Sequence, residues 1–495
     1  MMSKSDSMLI GTLNCLGEAF NPFEFLSASN LASCEKLQRA ARALTLPEIE
    51  ASGALNAQPA GGEAALTRLR DHVAAGRAPW EFFDEATLAN DNKLLESRVN
   101  MLTLAMRDGA NGQSMWLQLS TWPAELCAVA PTSSAYAGDA NLWLFDLACN
   151  VIASSESAAY QSVCGESHLN PANVEANAAR FFDQALAAAG ESTPIVLGMQ
   201  EYPRETTPGM ARKAEVYAAA LESRKLRVVR SDTGVAIGYS TDLGEPTVLD
   251  CSSLAPAVMS TCLEEAEAHG VGLDAKERKG FLGTTAAKVM ACRFPHAHNA
   301  KEHTFVVMHA KEPKTPNSAH VLAAFVAALA KALNAPPKQF VLVSDTNLAS
   351  AALASAFASR LGQDGYSAAP GPGVDTTAKQ RSILHGQCYD TKKCLVLVAS
   401  PKDKIIAVEG SLSNEGTYPV IKELGHLRGG LPSAAWASDH CLTYARLNLV
   451  GEAGTNLIGE VSMQEVSEVV LTLEDRSKSG AGAGAGQCCS ICRIS

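Results

Sequence analysis

The sequence predicts an α/β protein on three observations. Short apolar runs of strand length end abruptly in polar residues; the clearest, Phe340–Ser344, runs straight into Asp345-Thr346-Asn347. Alanine-rich stretches with helical spacing lie between such runs, over Asn317–Leu333 and again from Ala349. A long excursion, Leu31 to Gly190, separates the first strand from the second and is mostly helical in its spacing. Continuous apolar runs bounded by polar residues are the pattern of strands buried on both faces.

Composition bounds the function. At 495 residues the chain is long enough for a large core and for more than one average domain. With 47% hydrophobic and 19% charged residues it is globular, not disordered. A formal net charge of -11 argues against extended tracking along nucleic acid, which needs a dense cationic surface, though a local basic patch remains compatible. The cysteines before the tail are scattered without metal-ligand spacing. The opening residues carry no secretory signal, and no apolar run approaches the roughly 18 residues that span a bilayer. The expectation is a cytoplasmic protein with reduced thiols.

The elements follow in order. Met8–Leu13 reads as a first strand ending in Asn14. Within residues 31–190, Cys34–Leu46, Gly62–Ala75 and Asp91–Arg107 have helix-compatible spacing, while Gln113–Asn150 is rich in Trp, Ser and Gly; the whole reads as a helical insertion or lid. Pro194–Met199 is a second strand, ending in Gln200-Glu201. Ala211–Arg224 reads as a helix, then Lys225–Ser231 with Gly234–Ser240 and Thr284–Phe294 with His303–His309 as strand pairs. Leu361 to Cys394 reads as a basic loop region, and Lys402-Asp403 opens a further strand. Ser438-Asp439-His440 opens a last apolar run.

Each strand end has two readings. Asp345 and Asn347 project the same way if the extension persists. The carboxylate can then hold or deprotonate a water, and the amide can orient it or a phosphate oxygen. Ser, Asp and Asn also suit a helix start, so the same residues read as an N-cap. Asn14 alone reads as a strand terminator, His309 as a solvated histidine, and Lys311, Lys379 and Arg381 as solvated cations or as contacts to an anionic substrate. Together, Asn14, Gln200-Glu201, His309, Asp345-x-Asn347 and Asp439-His440 end five strands, with Asp403 near a sixth, which is where α/β architectures place their sites.

That order resembles the endonuclease/exonuclease/phosphatase superfamily of deoxyribonuclease I-like, metal-dependent phosphoesterases. The resemblance covers Ser7–Gly17 and Thr193 to about Val450, with Ser344-Asp345-Thr346-Asn347 in place of the usual Gly-Asp-x-Asn. It implies a two-sheet α/β sandwich with outer helices, interrupted after its first strand by the helical insertion. It further implies Glu201 as the principal Mg2+ ligand (Mn2+ being the alternative), with Asn14 and Asp439 close to the ion. Asp345 would activate the attacking water, and Asn347 would hold that water or the phosphate. His440 would stabilise the developing charge, with Asp403 fixing its tautomer, and His309 would contact the phosphate or assist the leaving group. The substrate would be a phosphodiester or phosphomonoester, nucleic acid or lipid- or inositol-derived. Signatures that mark inositol 5-phosphatases are absent from the sequence, and the residues after Asn347 do not match abasic-site endonucleases.

The chain therefore divides into a first strand (1–30), the insertion (31–190), the rest of the catalytic domain (191–455), an extension (456–476) and a tail (477–495). The tail is a Gly/Ala spacer leading to Cys488, Cys489 and Cys492-Arg493-Ile494-Ser495. The last four residues fit a prenylation pattern, and Cys488 and Cys489 suit palmitoylation, which would tether the protein to a membrane surface. A non-catalytic scaffold on the same fold, or a tethered interaction protein working through its insertion, are the readings from other classes.

Overall fold

The computed structural model describes residues 7–15, 33–82 and 436–448 with gaps, and 140–166, 171–190, 193–204, 211–274, 278–295, 302–381 and 396–418. Fourteen strands are described: β1 Ser7–Asn14, β2 Ile195–Gln200, β3 Leu226–Arg230, β4 Val235–Ser240, β5 Thr247–Leu249, β6 Val289–Phe294, β7 His303–His309, β8 Phe340–Asp345, β9 Tyr366–Ala369, β10 Thr377–Arg381, β11 Val396–Ser400, β12 Asp403–Val408, β13 Leu412–Tyr418 and β14 Leu442–Asn448. They form two six-stranded sheets, β13-β14-β1-β2-β4-β3 and β5-β6-β7-β8-β12-β9, with β10-β11 as a separate hairpin. β1 with β2 and β7 with β8 run parallel, and the other pairs are antiparallel.

Side-chain alternation explains the layering. In β1, Met8 and Ile10 join Val196, Ile237, Phe305, Val307, Val341, Val343 and Ile405 in the core between the sheets. Leu9 and Leu13 point the other way, onto Phe181 and Phe182 of the helix Pro171–Ala189 and Tyr217 and Leu221 of the helix Ala211–Glu222. Leu342 and Ile406 of the second sheet face the helices Cys251–Ala268, Pro316–Ala332 and Ala351–Gln363. Both sheets are thus covered on both faces, which is why their strands read as continuous apolar runs. The result is the α/β sandwich that the strand pattern and motifs imply.

Local signals set the helices. Pro316–Ala332 starts at Thr315, whose side chain accepts from the Ser318 N–H in a reciprocal capping box, with proline at its first turn. It buries Val321, Leu322, Phe325, Val326 and Leu329, each contributing roughly 1.5–3 kcal/mol. The helix Pro171–Ala189, which the sequence assigns to the excursion, lies on the first sheet and shares its core. Among the other described residues of that excursion the elements are helices, Leu46–Ala54, Gly62–Ala74, Ala140–Ser155 and Ser157–Glu166.

Two expectations are corrected. Thr284–Ala287 is helical, within Gly283–Ala287, and the strand begins only at Val289. The Leu361–Cys394 region is not all loop: Ala351–Gln363 extends into it, and β9 and β10 follow. At β9 and β10 long-range pairing overrides weak local signals, whereas Gly283–Ala287 continues the helical turn of Arg278–Leu282.

Candidate active site

The site is the polar end of the core between the sheets. Counting in twos along β1 from Met8 and Ile10 leads to Thr12 and Asn14, and along β7 from Phe305 and Val307 to His309. The same count along β8 ends at Asp345, and along β12, from Ala407 and Ile405, at Asp403. Register levels these ends: Asn14 pairs with Gln200, His309 with Asp345, and Asp345 with Asp403. Thr12 Oγ1 and Gln200 Oε1 are 3.2 Å apart and Gln200 Nε2 reaches Thr12 Oγ1 at 3.0 Å, which closes off the apolar layer beneath the site.

Above that layer one amide joins two carboxylates. Asn14 Nδ2 donates to Glu201 Oε1 at 3.0 Å and to Asp345 Oδ2 at 3.1 Å. Glu201, the residue just past β2, has φ 46, a left-handed conformation that turns the chain there. Its side chain keeps 19% of its surface exposed, against 1% for Asp345. Asn347, also left-handed at φ 51, donates its N–H to Asp345 Oδ1 at 2.9 Å and its Nδ2 to Ala310 O at 2.8 Å. It therefore clamps Asp345 to the segment after β7.

Two histidines flank Asp345. His440 Nε2 lies 3.6 Å from Asp345 Oδ2, while His440 Nδ1 lies 2.9 Å from Asp403 Oδ2 and 3.1 Å from Oδ1. An ionised carboxylate only accepts, so the Nδ1 proton points at Asp403 and Nε2 faces Asp345. Ser438 Oγ donates to the Asn14 carbonyl and accepts from the His440 N–H, tying the two chain segments together. Trp436 Nε1 donates to His440 O at 2.7 Å, and Thr376 Oγ1 accepts from the Asp403 N–H at 2.8 Å. On the other side, His309 Nε2 is 3.7 Å from Asp345 Oδ2 and 3.8 Å from Glu201 Oε1.

The two buried aspartates are shifted in opposite directions. Burial opposes ionisation of Asp345, but His440, His309 and Lys402, with the Asn347 N–H, outweigh it and hold the carboxyl below its ordinary range. Burial is also the largest influence on Asp403 and, with the charge of Asp345 beside it, raises Asp403 despite its bond to His440. Asp345, Asp403 and His440 also offer ligand atoms within 4.8 Å of one another. Both oxygens of Asp403 already face His440 Nδ1, so the more open carboxylate for a cation is Glu201.

Of the residues singled out in the sequence, Asn14, Glu201, His309, Asp345, Asn347, Asp403 and His440 come together. Ser344 occupies ordinary extended backbone in β8, paired with Lys404 and Met308, so the motif tolerates it in place of glycine. Lys311 is exposed on the segment after β7, and its N–H donates to Thr285 Oγ1. Lys379 and Arg381 lie on β10, whose first residue, Thr377, bridges to His440. Asp439, Cys488, Cys489 and Cys492 lie outside the described residues. Among the described residues no helix is long and apolar enough to cross a membrane. Sequence reasoning missed Thr12, Lys288, Thr376, Lys402 and Trp436. Thr12, two residues before Asn14 on the same face, was findable by period; the others carry no local signal.

No protein-family model matches the chain, and no curated protein matches it. Solved structures do. Danio rerio TDP2 in complex with a single-strand DNA product is 11% identical with a TM-score of 0.31, over 55% of this chain and 92% of that one. The inositol polyphosphate 5-phosphatase domain of SPsynaptojanin, with inositol (1,4)-bisphosphate and calcium, is 15% identical at a TM-score of 0.28, over 51% and 74%. An endonuclease/exonuclease/phosphatase family protein from Bacteroides thetaiotaomicron is 14% identical at 0.31, over 58% of this chain and 92% of that one, and bears the name of the family that the sequence motifs resemble.

Proposed function

We propose that this chain hydrolyses phosphate esters by attack of water, assisted by a divalent cation. The observation that carries the reading is Asp345: a carboxylate 1% exposed, held in its charged form at a strand end, with a histidine on either side and a second buried carboxylate behind one of them. A base placed there accepts the proton of a water, and the donors around it are aimed at the oxygens on which charge develops.

The donors fit a hard cation. Glu201, the more open carboxylate, and the buried Asn14 amide beside it supply oxygen atoms, the ligand type that Mg2+ prefers and Mn2+ accepts, and one or two carboxylates suffice. Asp439 joins that set by its place in Ser-Asp-His. When bound, the cation neutralises phosphoryl charge and orients the ester. The chain supplies the rest. Asn14 holds Glu201 and Asp345 at a fixed spacing. Asp345 takes the water proton. His440, as an imidazolium with Asp403 behind it, presents Nε2–H to the phosphoryl group. The substrate is a phosphodiester or a phosphomonoester, from nucleic acid or from a lipid or inositol phosphate.

The test is turnover of bis-p-nitrophenyl phosphate and p-nitrophenyl phosphate with Mg2+. Activity should vanish with EDTA, return with Mg2+, and fall roughly a thousand-fold or more in Asp345→Ala. The preferred compound assigns diester or monoester. Turnover that survives EDTA, or that Asp345→Ala leaves intact, overturns the mechanism. Silence of the wild type on both compounds, and on DNA, RNA and phosphoinositides, overturns the activity.

A further inference from the structure

Lys288 takes no part in the chemistry above, yet its side chain ends against one of the site histidines. It caps the short helix Gly283–Ala287 just before β6, with φ -111 and ψ 48, and its N–H donates to Thr285 O. Its own carbonyl accepts the His309 N–H at 3.0 Å, which fixes the two backbones side by side. The lysine side chain then turns along the histidine, and its Nζ stands 3.3 Å from His309 Nδ1.

An ammonium has three donors and no acceptor, so in this contact Nδ1 must accept and the ring proton must sit on Nε2. Nε2 is the atom that faces Asp345 Oδ2 at 3.7 Å and Glu201 Oε1 at 3.8 Å. The opposite tautomer would set an Nε2 lone pair against two carboxylate oxygens and an Nδ1–H against the ammonium. Both contacts favour the same arrangement. His440 is held in the reverse sense, with a carboxylate behind its Nδ1. The two histidines therefore present Nε2 to the same carboxylate with opposite charges standing behind them.

We propose that Lys288 is a positioning residue of this site, fixing His309 as an Nε2–H donor to a phosphate or leaving-group oxygen and barring it from accepting the proton of the attacking water. The role as donor to phosphate rests on the hydrolase reading; the tautomer does not. Long-range 1H–15N correlation on the full chain, labelled in its histidine side chains and free of metal and substrate, reads the tautomer directly, with His309→Gln used only to assign the signals. His309 should show a protonated Nε2 and an unprotonated Nδ1 in the wild type. In Lys288→Met the carboxylates still face Nε2–H but nothing keeps a proton off Nδ1, so the unprotonated Nδ1 signature should be lost or diminished, and Lys288→Arg should restore it. In the Mg2+ assay Lys288→Met should lose roughly 10–100-fold in kcat with KM little changed, and Lys288→Arg should recover most of it. A protonated Nδ1 in the wild type, or an unchanged His309 pattern in folded Lys288→Met, overturns the proposal. The wild-type spectrum decides even where Lys288→Met fails to fold. A wild type with the expected tautomer but no turnover would refute the hydrolase reading alone.

Discussion

Asp403 makes the most exacting residue-scale prediction, because both of its oxygens face one nitrogen. Asp403→Asn replaces one acceptor by a donor and leaves His440 with a choice of tautomers. kcat should fall roughly a thousand-fold or more with little change in KM. Because the two residues act as a unit, adding Asp403→Asn to His440→Ala should cost almost nothing further. Steady-state kinetics on the two single variants and the double variant would show this; independent, multiplying losses would sink the pairing. At this scale the motif residues were legible, since Asn14, Asp345 and Asn347 follow apolar runs and His440 precedes one. The supporting residues were not. Thr376 and Lys288 touch Asp403 and His309 through contacts that only the assembled sheets create.

At the scale of elements, the distance between the sheets decides whether the site closes. Gly198 in β2 packs directly against the second sheet: a Cβ there would come 1.9 Å from Val343 Cγ2 and 3.3 Å from Val307 Cγ2. The contact to Cγ2 cannot be relieved by a rotamer change alone, because a β-branched valine has few rotamers and sits in a filled core. Gly198→Ala should therefore destabilise the protein by about 1–3 kcal/mol in urea unfolding. Val343→Ala in the same chain should give part of that back; strictly additive losses would mean that the two residues do not meet. The sequence marked β2 and β8 as strands but could not say that they face each other. Strand content is local, whereas facing strands are set by topology. The same limit hid β10, one strand of the hairpin with β11, inside a stretch that reads as loop.

For the molecule as a whole, alternation along β12 sends Asp403 into the site and Lys404 to the opposite face, where its Nζ donates to Pro370 O at 2.9 Å and Gly371 O at 3.2 Å. Burial lowers the Lys404 ammonium from 10.5 to about 8, against the pull of Asp403, Glu415 and Asp375. Between those two values the unfolded chain still binds the proton that the folded chain has released. Stability from this residue therefore rises with pH across that window, by about 3 kcal/mol, and is flat below it. Lys404→Met should remove the rise while shifting the whole curve by a constant for the lost hydrogen bonds. Urea unfolding of both proteins from pH 7 to 10.5 measures it; parallel curves would show that the folded lysine keeps its charge.

Read alone, the chain marks the strands that end in polar residues, the helices Gly62–Ala74, Ala211–Glu222, Pro316–Ala332 and Ala351–Gln363, and the polar residues at those strand ends, because apolar runs and the residues that bound them are local properties. Only the tertiary structure decided which ends share a level and what stands behind each histidine. Asn14 and Asp345 meet across 331 residues, and His440 meets Asp403 across 37. Contacts at such separations are fixed by sheet order and register, and a one-residue slip in either would turn the same side chains to the other face.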